Sequence, residues 1–257
     1  MPRAALLLLH LALPFLASAP ATAQKKKGAD PGAGKVLYAV PLVAAPGEKQ
    51  KLVLRGKGLD AVKEVTVAGA DGATVKVLAA RKAAVPNNYP AERIGDTEVE
   101  VELTLPKDAK PGVTITAVGP KGPAEPYTLL VPDGLPAVEE KEPNDGYDAA
   151  QPITLPCAVV GKIHQEKNPD VFRFTGKAGQ KLRAEVQAAR FGSPLDGILT
   201  LVDGDRRVVA AVDDVNGSPD PALAVTLPRD GTYYLTLIDA HDLGGAGFGY
   251  RLVVKFE

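Results

Sequence analysis

The sequence has no tryptophan, one cysteine and three histidines, and aromatic residues make up only 5% of it. The lone Cys157 excludes an intrachain disulfide framework and a thiolate-based metal site. It sits in the apolar run Pro156-Cys157-Ala158-Val159-Val160 and reads as a buried, unreactive thiol. Charge of one sign is also missing. Thirty basic and 31 acidic residues leave a formal net charge of -1, which argues against nucleic acid as a partner. Helix formers are never sustained, because 26 glycines and 23 prolines punctuate the chain, and this excludes long bundles and coiled coils. Past the N-terminal segment no apolar run approaches the roughly 18 residues of a membrane span, so none is expected in the mature chain.

Signals of catalysis are scarce too. Outside the N-terminal segment the only serines are Ser193 and Ser218, and the only histidines His164 and His241. Neither serine lies in a G-x-S-x-G elbow, and no H-x-x-H spacing occurs. The glycines Gly244, Gly245, Gly247 and Gly249 precede a strand pattern rather than a helix, so they form no phosphate loop. Acids spread along strand faces and turns read as solvated surface. The chain is therefore expected not to be an enzyme.

What is present starts with targeting. Arg3, an apolar stretch from Ala4 to Ala17 and the small-residue site Ala21-Thr22-Ala23 have the order of a secretory signal peptide over residues 1–23. Residues 24–35, with Lys25 to Lys27, read as a flexible basic leader. The expected location is secreted, periplasmic or at the cell surface.

From Val36 onward the pattern has a period of two. Thr97 to Leu105 alternates Val99, Val101, Leu103 and Leu105 with Glu98, Glu100 and Glu102, as a strand packed on one side does. Similar short segments recur to Val131, separated by turn signals such as Asp71-Gly72 and Lys110-Pro111-Gly112. Pro132 to Pro136 breaks the series. A second series then runs from Val171-Phe172-Arg173-Phe174 through Tyr233, Leu235 and Leu237 to Tyr250, Leu252, Val254 and Phe256. The expectation is an all-β chain of two sandwiches in tandem, at 36–132 and 139–257, joined by a linker at 133–138. The segment Ala79 to Gly95 fits neither pattern and is expected to be a long loop.

Two resemblances can be read from these residues. Leu52-Val53-Leu54-Arg55-Gly56-Lys57-Gly58-Leu59 and Pro106-Lys107-Asp108-Ala109-Lys110-Pro111-Gly112 are similar to motifs of IPT/TIG immunoglobulin-like domains, which implies an immunoglobulin-like first sandwich. The second half resembles the bacterial pre-peptidase C-terminal (PPC) domain family. The motifs are Glu142-Pro143-Asn144-Asp145, Asp170 to Phe174, Ala178-Gly179-Gln180, Gly192 to Asp196, Asp213-Asp214 and Gly231-Thr232-Tyr233-Tyr234. This resemblance implies a jelly-roll-like, non-catalytic appendage of exported proteins. It also implies calcium, held by Glu140, Glu142, Asn144, Asp145 and Asp170. The family pattern has an acid two places before Asp170, where this chain has Asn168. The alternative for the same run is a solvated acidic linker in which Asn144 and Asp145 cap a turn.

The function these features suggest is an exported, non-catalytic binding or scaffolding protein. Its partner would be an extracellular or cell-surface protein or polysaccharide. The missing tryptophan weighs against sugar stacking and so favours protein. An accessory or chaperone-like subunit of a secreted protease or hydrolase is the alternative.

Overall fold

The computed structural model describes residues 33–86 and 89–257. The signal segment expected at 1–23, and the expected leader up to residue 32, lie outside the described residues.

Strand follows alternation throughout. The first unit contains β1 (Lys35–Val40), β2 (Lys49–Lys57), β3 (Glu64–Ala68), β4 (Thr74–Lys82), β5 (Thr97–Thr104), β6 (Thr114–Gly119), β7 (Gly122–Pro123) and β8 (Tyr127–Thr128). They form one sheet in the order β1-β2-β5-β4 and another in the order β3-β6-β7, with β8 pairing to β6. Leu52, Leu54, Val99, Val101 and Leu103 of the first sheet meet Val65, Ile115 and Ala117 of the second in one core. On the opposite face of β5, Glu98, Glu100 and Glu102 are answered by Arg55, Arg81, Lys51 and Lys49 from the neighbouring strands. The acidic stripe is thus a cross-strand charge ladder, whose exposed pairs contribute at most about 1 kcal/mol each.

The second unit contains β9 (Ala137–Glu139), β10 (Gln151–Pro152), β11 (Cys157–Lys162), β12 (Asp170–Gly176), β13 (Lys181–Gln187), β14 (Gly197–Asp203), β15 (Val208–Val212), β16 (Ala222–Thr226), β17 (Gly231–Asp239) and β18 (Gly249–Phe256). The two sheets have the orders β10-β12-β17-β14-β15 and β16-β13-β18-β11-β9. Phe172, Phe174, Leu199, Leu235 and Leu237 pack against Val159, Leu182, Val186, Leu252 and Val254. Cys157 belongs to this core, and burial pushes its thiol pKa up, away from reactivity. Two β-sandwiches in tandem account for the whole described chain.

Strand β9 begins inside the segment expected as a linker. It pairs in parallel with β11, Ala137 opposite Ala158 and Glu139 opposite Val160. Parallel partners about 20 residues apart leave no hairpin signal in the sequence, so the pairing is invisible to local patterning.

The segment expected as a loop after Ala79 divides in two. Its first part prolongs β4 to Lys82, and its last part forms a short helix, α1 (Ala91–Ile94), that reaches the second unit. Ile94 is buried in the second core, and Tyr89 packs edge-on against Phe248 with its hydroxyl donating to the Gly244 carbonyl. Arg93 donates to the Pro194 carbonyl at 2.7 Å. These side chains have no place in the first core and bury themselves in the second.

The sandwiches are therefore docked along a seam. Leu42, Val43 and Leu130 form an apolar cluster with Val160 and Phe191. The Tyr127 hydroxyl donates to the Phe191 carbonyl at 2.6 Å. Gly192, at φ +82°, sits so close to β1 that a Cβ there would lie 1.8 Å from the Leu37 carbonyl oxygen. Arg251 projects from the outer face of β18 yet is only 2% exposed. Its guanidinium donates to Asp133 and, at 2.9 Å, to Gln187.

The two partners of that ion pair differ in burial, since the Asp133 side chain is 51% exposed and that of Arg251 2%. Removing the carboxylate strands a buried cation, whereas removing the cation returns a carboxylate to water. Asp133→Ala should therefore cost about 3 kcal/mol in a urea melt and Arg251→Met about 1 kcal/mol or less. Equal losses would contradict this account of the seam.

Candidate metal centre

The end of β9 carries Glu140 into the second unit, where its backbone N–H donates to the Val160 carbonyl at 2.9 Å. Gly161 on β11 makes room for it. A Cβ at that glycine would lie 2.5 Å from Glu140 Cβ and 2.7 Å from the Tyr250 hydroxyl. The chain then runs past Glu142 to Asn144, whose carbonyl accepts from Val171 N–H at 3.0 Å and so ties the acidic segment to β12. Asp170 opens β12. The geometry brings together Glu140, Glu142, Asn144 and Asp170 from a segment and a strand separated by more than 20 residues.

The arrangement is strongly unfavourable as it stands. Asp170 and Asn144 are fully buried, and the Glu140 side chain is nearly so. Burial pushes the Asp170 carboxyl up to about 8, with Glu140, Glu142 and Asp145 pushing in the same direction and the Tyr250 hydroxyl bond opposing them. Burial also raises Glu140, with Glu142 adding to it and His164 opposing. Asn144 donates from its backbone to Glu142 at 3.1 Å, and its side-chain nitrogen lies 3.5 Å from Glu140 Oε1. Two buried acceptors, Asn144 Oδ1 and Asp170 Oδ1, have no hydrogen-bond partner. An orphaned buried acceptor costs about 1–3 kcal/mol, and two beside converging carboxylates are rarely tolerated without a reason.

These residues fit a divalent cation. Glu140, Glu142 and His164 present donor atoms within 4.8 Å of one another and could hold it, beside the buried Asn144 and Asp170, and its charge would offset the repulsion. Asp145 is differently placed. Its carboxylate accepts from the Asn168 side-chain nitrogen, and Asn168 Oδ1 accepts from His164 N–H at 2.9 Å. An acid at position 168 could not donate to Asp145, so the departure from the family pattern has a local use. No H-x-x-H spacing singles out His164 in the sequence. Its Nδ1 lies 3.0 Å from Glu142 Oε1 and 3.6 Å from Glu140 Oε2. A cavity of about 350 Å³, lined by Pro41, Leu42, Glu140, Gly161, His164 and Gly249, gives onto this cluster from the seam.

Elsewhere the chemistry-bearing residues are committed to structure. Ser193 Oγ lies 3.3 Å from the Gly247 carbonyl and 3.4 Å from Leu195 N, and no histidine lines the cavity that Ser193 and Ser218 share. Asp203 accepts from the N–H groups of Asp205 and Arg207, as expected of a hairpin turn. The Asp213-Asp214 pair meets Asp196 in a second acidic group, and no orphaned buried acceptor is found there among the described residues.

Residues 169–238 match the family profile of the bacterial pre-peptidase C-terminal domain, and the second sandwich is a domain of that family. Over 218 residues the chain is 30% identical to a probable subtilase-type serine protease of Deinococcus radiodurans. That match takes in 79% of this chain but only 29% of the relative, so the chain spans less than a third of that protein's length. Among solved structures, the pre-peptidase C-terminal domain of a Bacillus anthracis collagenase is similar over 41% of this chain and 94% of its own, with 18% identity and a TM-score of 0.35. The secreted serine protease VesC of Vibrio cholerae is similar over 84% of this chain and 48% of its own, with 9% identity and a TM-score of 0.30.

Asp170 separates the two readings of the acidic segment. Asp170→Asn keeps an acceptor for Tyr250 and removes a carboxyl whose charged form burial penalises. In chelator the variant should melt at or above the wild-type temperature, and any stabilisation by added cation should shrink sharply. A variant that melts well below wild type in chelator would mean that Asp170 serves as an ordinary structural hydrogen-bonding group.

Proposed function

We propose that the chain is an exported, non-catalytic binding module that works beside secreted proteases and engages an extracellular or cell-surface protein. The observation that carries this reading is the alignment that takes in most of this chain but only a minor part of a much longer protein with a protease name. A two-sandwich unit used inside such a protein is expected to position the catalytic part on its target. The pre-peptidase C-terminal domain supports the same reading, since that family is an accessory to proteases rather than the catalytic part.

The docked sandwiches suit a presenting role. Contacts through Tyr89, Arg93 and Tyr127 hold one sandwich against the other and Arg251 ties down the linker between them, so a partner would meet a preorganised surface. The immunoglobulin-like character of the first sandwich belongs to this reading, as a spacer or interaction surface. The absence of tryptophan favours protein over polysaccharide as the anchoring polymer. The acidic cluster acts as a cation clamp. Calcium at Glu140, Glu142, Asn144 and Asp170, with Asp145 at its edge, joins the start of the second domain to its first long strand.

Two measurements test the proposal. In co-sedimentation, the full chain should pellet with insoluble protein polymers such as collagen or elastin and remain in solution with chitin or cellulose. Pelleting with neither class, or release of peptides from casein that is lost in Ser193→Ala, would overturn the binding-module reading. In thermal melts, a cation at about 100 times its dissociation constant should stabilise the full chain by about 2.7 kcal/mol, and Glu142→Ala should remove most of that gain. No shift with any divalent cation at millimolar concentration would refute the clamp and leave the binding reading standing.

A further inference from the structure

The clamp reading rests on oxygen donors, yet the cluster contains a nitrogen. We propose that His164 Nδ1 is a cation ligand beside Glu140 and Glu142, so that this site prefers a nitrogen-accepting first-row cation such as Zn²⁺ or Mn²⁺ over Ca²⁺. This inference rests on the clamp reading and names the metal class for the same site.

The geometry supports it in three ways. The donor atoms of Glu140, Glu142 and His164 all lie within 4.8 Å of one another, close enough for one ion to touch all three. The orphaned oxygens of Asn144 and Asp170 supply the independent sign that something is to be bound, because both residues are fully buried and neither acceptor has a protein partner. The backbone that carries the imidazole is also held in place. Ile163, the preceding residue, is buried in the core and its N–H donates to the Phe248 carbonyl at 3.1 Å, while its carbonyl accepts from Gly245 N–H at 2.8 Å. His164 N–H is held by Asn168. The backbone around His164 is therefore tied at three points, and Asn168 acts as a positioning residue for both His164 and Asp145.

Donor chemistry then selects the ion. Ca²⁺ takes hard oxygen ligands, commonly six to eight of them, and an imidazole occupies a place it prefers to give to oxygen. Mixed imidazole and carboxylate sites suit zinc and its neighbours, for which neutral nitrogen is a good donor. The His164 side chain is 37% exposed and also lines the seam cavity, so an ion can reach it without the domain opening. The competing account is a plain ion pair between His164 and the two glutamates, in which the histidine contributes to stability without choosing a metal.

Thermal melts and equilibrium titrations of the full chain separate these accounts. Wild type, His164→Gln and the control His241→Ala would each be stripped with chelator and titrated with Zn²⁺, Mn²⁺ and Ca²⁺. The expected result is tighter binding of Zn²⁺ or Mn²⁺ than of Ca²⁺ by wild type. His164→Gln should weaken the transition-metal response by about tenfold or more, since even outer-sphere partners are worth 10–100-fold, and change the Ca²⁺ response far less. His241→Ala should behave as wild type. Bound Co²⁺ gives a second readout, because its visible absorption depends on ligand type and should change between wild type and His164→Gln. If Ca²⁺ binds best and His164→Gln leaves the order of the ions and the Co²⁺ spectrum unchanged, the assignment of His164 is overturned while the clamp survives. A transition-metal response lost in His241→Ala but kept in His164→Gln would likewise overturn it. If no ion binds wild type at all, the clamp itself falls.

Discussion

A guanidinium buried on the outside of a β-sheet needs partners, and the way Arg251 finds them organises the molecule. Its position on β18 points away from the second core, where a sheet face would ordinarily be wet. Asp133 and Gln187 bond it, and Leu42, Val43 and Leu130 of the first unit pack beside it on Val160 and Phe191. The connection between sandwiches is thereby tied down on the sheet it leads into. Strand β9 follows directly, and its parallel register on β11 delivers Glu140 beside Gly161.

The cluster shows the opposite of optimised stability. Glu140 and Asp170 converge where burial penalises their charge, with Glu142 beside them and two acceptors left unmatched. The rest of the molecule is conservative by comparison. Its carboxylates on β5 are answered by facing bases, and its hairpin acids by backbone N–H groups. The strain is local, and it lies where the two sandwiches meet.

Much of this was legible in the residues. The alternation at Thr97–Thr104 and Gly249–Phe256 located strands and the faces they bury, because a side chain every second position can satisfy only one environment. Glu140, Glu142, Asn144 and Asp145 could be grouped because they are close in sequence, and the family resemblance added Asp170. His164 could not, since no spacing rule connects it to Glu142, and only the β9–β11 pairing brings the two together. The apolar residues Val85, Tyr89 and Ile94 gave a signal that was misplaced. They looked like a loop because they match no period within the first sandwich, and they bury against the second instead.

Composition and local pattern alone determined the all-β class, the two series of strands, the inert Cys157 and the acidic run ahead of β12. These depend on interactions within a few residues of each other or on simple counts. Only the tertiary structure decided the docking of the sandwiches, the burial of Arg251, and the arrival of His164 among the carboxylates. Each joins groups far apart in the chain through strand register and close glycine packing. That information is carried by how faces fit together rather than by the order of the residues along any one segment.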